Sequence, residues 1–329
     1  MKILTIIVPS YNTSEHINRC VPFFLECKQI KKIEIIFIND GSKDDTFEKL
    51  ATYVAHCPEN IRIINKQNGG HGSVINRGIQ EANGQYFKVV DGDDWIVPYN
   101  IDRLVKDLEK LQADLVLNPY YKESQITGKR MLNGLWRIEK NAVLNFNELP
   151  DRIYGLQLHE WTIKTEILRN NHIVFTEKCF YDDFEYITYP IPYIKTICFL
   201  DYPVYNYLID QQNQSVSNKN VYNNCNMSRK IITNVINYYK NLNSDGKASQ
   251  YLFATLVNGC KQHYNIYLRN PDEKESYDKW KDFDDYLSNN PKIYETIGKK
   301  YPYISLIRKY GKSMFLFCSF LLRIYKKIL

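Results

Sequence analysis

Several function classes are argued against by what this 329-residue chain has little of. Its eight cysteines (20, 27, 57, 179, 198, 225, 260 and 318) include no CxxC pair and no zinc-ligand spacing. No GxxxxGK[ST] run occurs, which removes a P-loop ATPase. The opening MKILTIIVPSYN has one lysine and a short apolar run ending at Pro9, unlike a secretory leader, so reduced thiols in a cytosolic protein are expected. The apolar run of the tail, Met314–Leu322, falls well short of the ~20 residues that span a bilayer. Acidic residues are missing from Thr296 onward, where Lys299, Lys300, Arg308, Lys309, Lys312, Arg323, Lys326 and Lys327 stand. Those eight charges exceed the net +6 of the whole chain, so the remainder is net acidic. That argues against a nucleic-acid surface across the main domain.

What is there fits a folded enzyme. Forty-four per cent hydrophobic and 24% charged residues allow one large core, or a catalytic domain with an appendage. ILTIIV (3–8), IEIIFIND (33–40), IRIINK (61–66) and GQYFKVV (84–90) read as buried strands. Helices are expected between them, over roughly 14–29, after GSKDD and from NGGHGSVINRGIQEA, then over about 100–112 before a strand ADLVLNPY. Four strand–helix alternations predict a doubly wound, mostly parallel α/β sheet, whose ligands bind beyond the carboxyl ends of the strands. Three polar clusters fall there: Ser10–Asn12, Asn39–Ser42 and Asp91–Asp94. Mixed elements follow residue 130, and the chain reads as helical beyond about 221.

The run VVDGDDW (89–95) ends a buried strand in three aspartates around a glycine. Either the turn is solvated, or a cation offsets the repulsion. Asp91 and Asp93, one residue apart across a tight turn at Gly92, suit hard cations such as Mg2+ or Mn2+. A dinucleotide fingerprint is the rival phosphate-handling pattern, with GHGSVI (70–75) after a strand and Asp91 about 20 residues on, but Ile75 replaces its third glycine.

Together VPSYN (8–12), INDGS (38–42), NGGHGSVINRGI (68–79) and VVDGDDW resemble the nucleotide-sugar half of family-two glycosyltransferases, in that family's order and spacing. A looser resemblance runs through HEWTIKTEIL, FYDDFEY and NQSVS (213–217). It implies a GT-A fold over residues 1–220, with a donor half (1–120) and an acceptor half (121–220), and a helical region over 221–329. It implies a UDP-sugar donor, with Pro9, Tyr11, Asn12, Asp40 and Gly41 around the base; the Tyr11 ring would stack on uracil and Asp40 accept its N–H. Asn76 and Arg77 would lie beside the donor. Arg77 would pair with the acidic turn or a phosphate, or lie as a plain surface arginine. Asp91 would bind ribose or the metal's waters, Asp93 the metal itself, and Asp94 the donor sugar, with Gly92 between them. The general base would be Asp183, beside Asp182 where the family usually has Glu, with Glu185 as competitor. His159, Trp161 and Asp182 would line the acceptor side, Trp161 stacking on a sugar or lying in the core. His71 would be a turn histidine near the donor.

The implied activity is metal-dependent inverting sugar transfer to a glycan, free or lipid-linked, in capsule or other surface-polysaccharide synthesis. A protein or teichoic-type acceptor, or a nucleotide-sugar-binding module without turnover, are the alternatives. The tail KSMFLFCSFLLRIYKKIL reads as a basic amphipathic helix, lying on anionic lipid or packed on the protein. A cytoplasmic protein on the inner membrane face is therefore expected. No nucleic acid is called for, and a second copy of the chain, forming a homo-oligomer, stands among the candidate partners.

Overall fold

The computed structural model describes the chain apart from residues 57–58, 135, 137, 152, 154, 211–217, 243–245, 271–272 and 329. NQSVS therefore lies outside the described residues. Two compact units are present, Met1–Gln212 with Gly246–Ala248, and Asn213–Asp245 with Ser249–Leu329.

In the first unit the order is β1 (Leu4–Ser10), α1 (Ser14–Leu25), β2 (Ile33–Asn39), α2 (Thr46–His56), β3 (Ile61–Asn65), α3 (His71–Glu81), β4 (Tyr86–Val89), β5 (Trp95–Ile96) and α4 (Pro98–Leu111). Then come β6 (Leu115–Leu117), β7 (Tyr120–Ser124), β8 (Arg130–Asn133), β9 (Val143–Asn145), β10 (Trp161–Lys164), α5 (Thr165–Asn170), α6 (Asp182–Tyr186), β11 (Thr196–Phe199) and β12 (Tyr205–Ile209). An eight-stranded sheet runs β3-β2-β1-β4-β10-β6-β11-β9, and a four-stranded one β5-β12-β7-β8. β3, β2, β1 and β4 are mutually parallel, and β10 enters antiparallel between β4 and β6.

β1 and β2 are β-branched runs buried on both faces, as central strands under two helical layers must be. α1 turns Ile17, Val21 and Phe24 onto Ile6, Val8 and Phe37 in one core. The expected single strand over 113–120 is two. β6 joins the large sheet and β7 the small one, because Pro119 between them has no N–H for a ladder.

The second unit is helical: α7 (Asn218–Asn223), α8 (Cys225–Asn241), α9 (Lys247–Arg269), α10 (Glu273–Ser288), α11 (Pro291–Lys300), α12 (Pro302–Tyr310) and α13 (Lys312–Ile328). The first residues of α9 belong to the other unit. Trp280, Phe283 and Tyr264 are buried at its centre. No described helix is long and apolar enough to cross a membrane.

Candidate active site

The loops after β1, β2 and β3 are stitched together by their own polar atoms. Asn12, at φ 53°, accepts from the Lys43 N–H at 2.8 Å and donates its own N–H to Ser42 Oγ at 3.0 Å. Asp40 is buried. Its Oδ1 accepts from Lys66 Nζ (2.6 Å) and Gly69 N–H (2.9 Å), and its Oδ2 from Gly70 N–H (2.8 Å). A carboxylate has about four acceptor positions, so Asp40 organises the glycine loop and keeps about one for a base. Gly41 sits at φ 74°, in the left-handed region. Tyr11 presents its ring at the strand end, 47% exposed.

β4 delivers the acidic turn against this platform. A Cβ on Gly92 would stand 2.5 Å from the Pro9 carbonyl oxygen and 2.9 Å from Thr13 Cγ2. Close approach of two strand ends, and not a left-handed backbone, is what requires glycine here. Asp94 is only 1% exposed. Its Oδ2 accepts from the Tyr205 hydroxyl at 2.5 Å and its Oδ1 from the Leu208 N–H at 2.8 Å. Burial, with repulsion from Asp93 and Asp91, pushes its carboxyl well above the usual range. Each oxygen of the residue expected at the donor sugar thus has a protein partner. The Tyr205 oxygen also receives the Asp91 N–H at 3.1 Å and lies 3.3 Å from Asp91 Oδ2. One phenolic proton cannot serve both carboxylates at once, so Tyr205 favours Asp94 at 2.5 Å over Asp91 at 3.3 Å.

His71, the first residue of α3, links this turn to Asp182, the neighbour of Asp183. Its Nε2 lies 3.2 Å from Asp91 Oδ1 and its Nδ1 2.7 Å from Asp182 Oδ2. Burial disfavours charge on the ring, but Asp182 and then Asp91 outweigh it and hold the imidazole well above its ordinary pKa. The expected turn histidine is therefore a doubly bonded bridge. In return, His71 outweighs burial at Asp91 and keeps that carboxylate ionised.

Tyr181, at φ 72°, turns the chain into α6 and sets Asp182 inward and Asp183 outward. Asp183 is exposed to solvent, and its Oδ1 accepts from the Phe184 N–H at 2.9 Å. Desolvation and then repulsion from Asp182 raise it to about 6. Glu185, its competitor, is buried and holds Thr176 through both backbone N–H and hydroxyl at 2.7 Å, so it is structural and not a solvated face.

Residues 5–171, half of the chain, match the family described as Glycosyl transferase family 2. The chain belongs to that family. It is 35% identical over 151 residues to the uncharacterized glycosyltransferase EpsJ of Bacillus subtilis, a match covering 46% of this chain and 42% of EpsJ. Glycosyltransferase GlyG of Streptococcus pneumoniae matches at 30% over 128 residues, 39% of this chain and 42% of GlyG. These matches span less than half the length of the relatives. Among solved structures, Staphylococcus aureus TarS 1–349 in complex with UDP-GlcNAc superposes with a TM-score of 0.71 at 17% identity, over 98% of this chain and 92% of that one. The GT-A fold expected for family 2 is the fold observed.

Other expected site residues of this family 2 member lie elsewhere. Trp161 is fully buried beside Tyr186, so of its two readings the core one describes it, and it offers no face to a sugar. Arg77 pairs with Glu81 at 2.6 Å, one turn along its own helix, rather than with the acidic turn. Asn76 clamps Phe175 with both ends of its amide (2.9 and 2.8 Å). His159 does reach the site. Its ring stacks on Tyr207, centroids 4.5 Å apart, and its ligand atom lies within 4.8 Å of those of Asp91 and Asp94. This is the cluster able to hold a cation among the described residues, and Asp93, the expected ligand, is not part of it.

The sequence reading passed over Tyr205, Lys66 and Lys88. Lys88 is fully buried in β4 and donates to the His159 and Trp161 carbonyls at 2.9 and 3.1 Å, and burial lowers it to about 7. A lysine inside the apolar run YFKVV was the visible signal. Nothing local marks Tyr205, whose role arises 111 residues from Asp94.

Proposed function

We propose that this chain is an inverting, metal-dependent glycosyltransferase that moves a sugar from a UDP-sugar to a hydroxyl of a glycan acceptor in cell-surface polysaccharide synthesis. One observation carries the reading: an accessible carboxylate poised near neutrality, Asp183, tied through Asp182 and His71 to the acidic turn at the strand ends. In a single displacement the acceptor hydroxyl attacks the anomeric carbon, its proton passes to Asp183, and the nucleoside diphosphate departs. Tyr11 and Asp40 supply a stacking face and an acceptor for a uracil N–H. TarS, whose structure holds UDP-GlcNAc, supports a UDP-sugar donor.

The residues present fit a divalent cation. His159 Nδ1 is buried with no hydrogen-bond partner among the described residues, and burial lowers the ring to about 4, so the neutral ring has one nitrogen lone pair to offer. Asp91, with Asp93 or with Asp94 and His159, would hold the ion, which when bound would offset charge on the departing diphosphate. A Pyrobaculum calidifontis mannosyltransferase structure with GDP-Man and Mn2+, alike in fold at a TM-score of 0.52, supports a metal of this kind. The chondroitin synthase of Pasteurella multocida, 32% identical over 108 residues (33% of this chain and 11% of that one), supports a glycan acceptor. A lipid-linked acceptor at the inner membrane face, reached by the basic tail, completes the reading.

The test is nucleotide release from a panel of UDP-sugars, with and without manganese, by the wild type, Asp91→Ala and Asp93→Ala. Metal-dependent release from one sugar, lost in either variant, is expected. UDP that gives no binding heat and no release from any sugar would overturn the proposal.

A further inference from the structure

Among its described residues, α13 packs through one face. Phe315 is buried against the rings of Tyr277 and Trp280, at centroid distances of 5.4 and 6.3 Å. Cys318 and Ser319 are buried beside it, and the Ser319 hydroxyl donates to the Leu268 carbonyl at 2.6 Å. The other face carries Phe317, Phe320 and Leu321, exposed by 56, 58 and 48%. With 3.6 residues per turn these three fall within about 100° of arc, opposite the buried set. Two phenylalanines and a leucine side by side in water differ from scattered surface apolar residues, and such a face points to a partner.

Charge selects that partner. The segment from Thr296 has eight basic residues and no acidic one. Arg308 is engaged by Asp284 at 2.8 Å, whereas Lys312 is exposed at the start of α13. A second copy docked on the same face would bring like charges together. A nucleic acid would leave the phenylalanines against water. An anionic bilayer meets both requirements, taking the apolar face below the headgroups and the cations at the phosphates.

We infer that Phe317, Phe320 and Leu321 are the residues that enter an anionic lipid surface, with Lys312 and Arg323 beside the headgroups. This rests on the membrane contact proposed above and narrows it: one face of α13 inserts, while the other stays packed in its own unit.

The intact chain, a Phe317→Ser/Phe320→Ser/Leu321→Ser variant and a Lys312→Gln/Arg323→Gln variant are co-sedimented with phosphatidylcholine vesicles, with and without phosphatidylglycerol. UDP-sugar turnover in solution is measured in parallel. The wild type is expected to bind the anionic vesicles. The triple variant should lose roughly tenfold or more in partitioning, with turnover unchanged, and the charge variant should lose the preference for phosphatidylglycerol. Equal binding by wild type and triple variant would overturn this assignment while leaving membrane contact standing. No binding by the wild type would overturn both, whatever the turnover shows. A wild-type dimer that the triple variant splits, with no effect of lipid, would assign the face to a second copy and overturn the proposal.

Discussion

Asp183→Asn keeps the shape of the side chain and removes the proton acceptor. A positioned general base contributes about 10²–10⁴-fold, so turnover should fall by that factor, a barrier increase of about 2.7–5.4 kcal/mol. UDP should bind as before, because the Asp183 carboxylate accepts from the Phe184 N–H of its own turn and not from the residues around Tyr11 or Asp40. The wild type carries its own internal check. With Asp183 raised to about 6, it is about nine-tenths ionised at pH 7 and about one-tenth at pH 5. An ordinary aspartate near 3.9 would remain about nine-tenths ionised at pH 5. Because the base must be deprotonated, kcat/KM should rise with pH through about 6, losing about tenfold between pH 7 and pH 5. Asp182→Asn removes the neighbouring repulsion and should move that limb to lower pH. Nucleotide release measured across pH, with calorimetry of UDP binding, decides the matter. An Asp183→Asn enzyme with turnover near wild type, or an acid limb near 4, would refute the reasoning.

Three further outcomes follow from the same geometry. Tyr205→Phe withdraws the donor from a buried Asp94 oxygen, so chemical denaturation should show a loss of about 1–3 kcal/mol, and an unchanged midpoint would contradict the bridge. Gly92→Ala sets a methyl 2.5 Å from a backbone oxygen that cannot swing away; a cost of about 1–3 kcal/mol and weaker UDP binding are expected by denaturation and calorimetry. Chelation should abolish nucleotide release and added manganese restore it, while His159→Ala should raise the manganese concentration needed, as read from a metal titration of the rate.

The four central strands and the helices between them were readable because buried parallel strands leave apolar runs, and helices leave a 3.6-residue period. Tyr11, Asp40, Asp91 and Asp183 could be named because each stands in a short motif at a strand end or a helix start. Motifs do not reveal which polar atoms are already engaged. Asp94, Asn76 and Arg77 look open in sequence, yet each has protein partners supplied by residues at other points of the chain or one turn away. Trp161 was ambiguous for a related reason: a large amphipathic ring suits a sugar or a core, and only the fold shows it with no exposed surface. His71 needed Asp182, 111 residues distant, before its ring became a bridge.

That distance has a consequence for how the site comes into being. The segment that matches the family ends at residue 171, before Asp182, Asp183 and Tyr205. A chain emerging in order from its N-terminus would already hold the nucleotide motifs while the acidic turn still lacked the phenol that binds Asp94 and the carboxylate that anchors His71. Contacts so far apart in sequence close late. The half-made domain thus has its recognition motifs in place but no assembled catalytic centre, and only β12, the last strand of the unit, brings Tyr205 to the acidic turn.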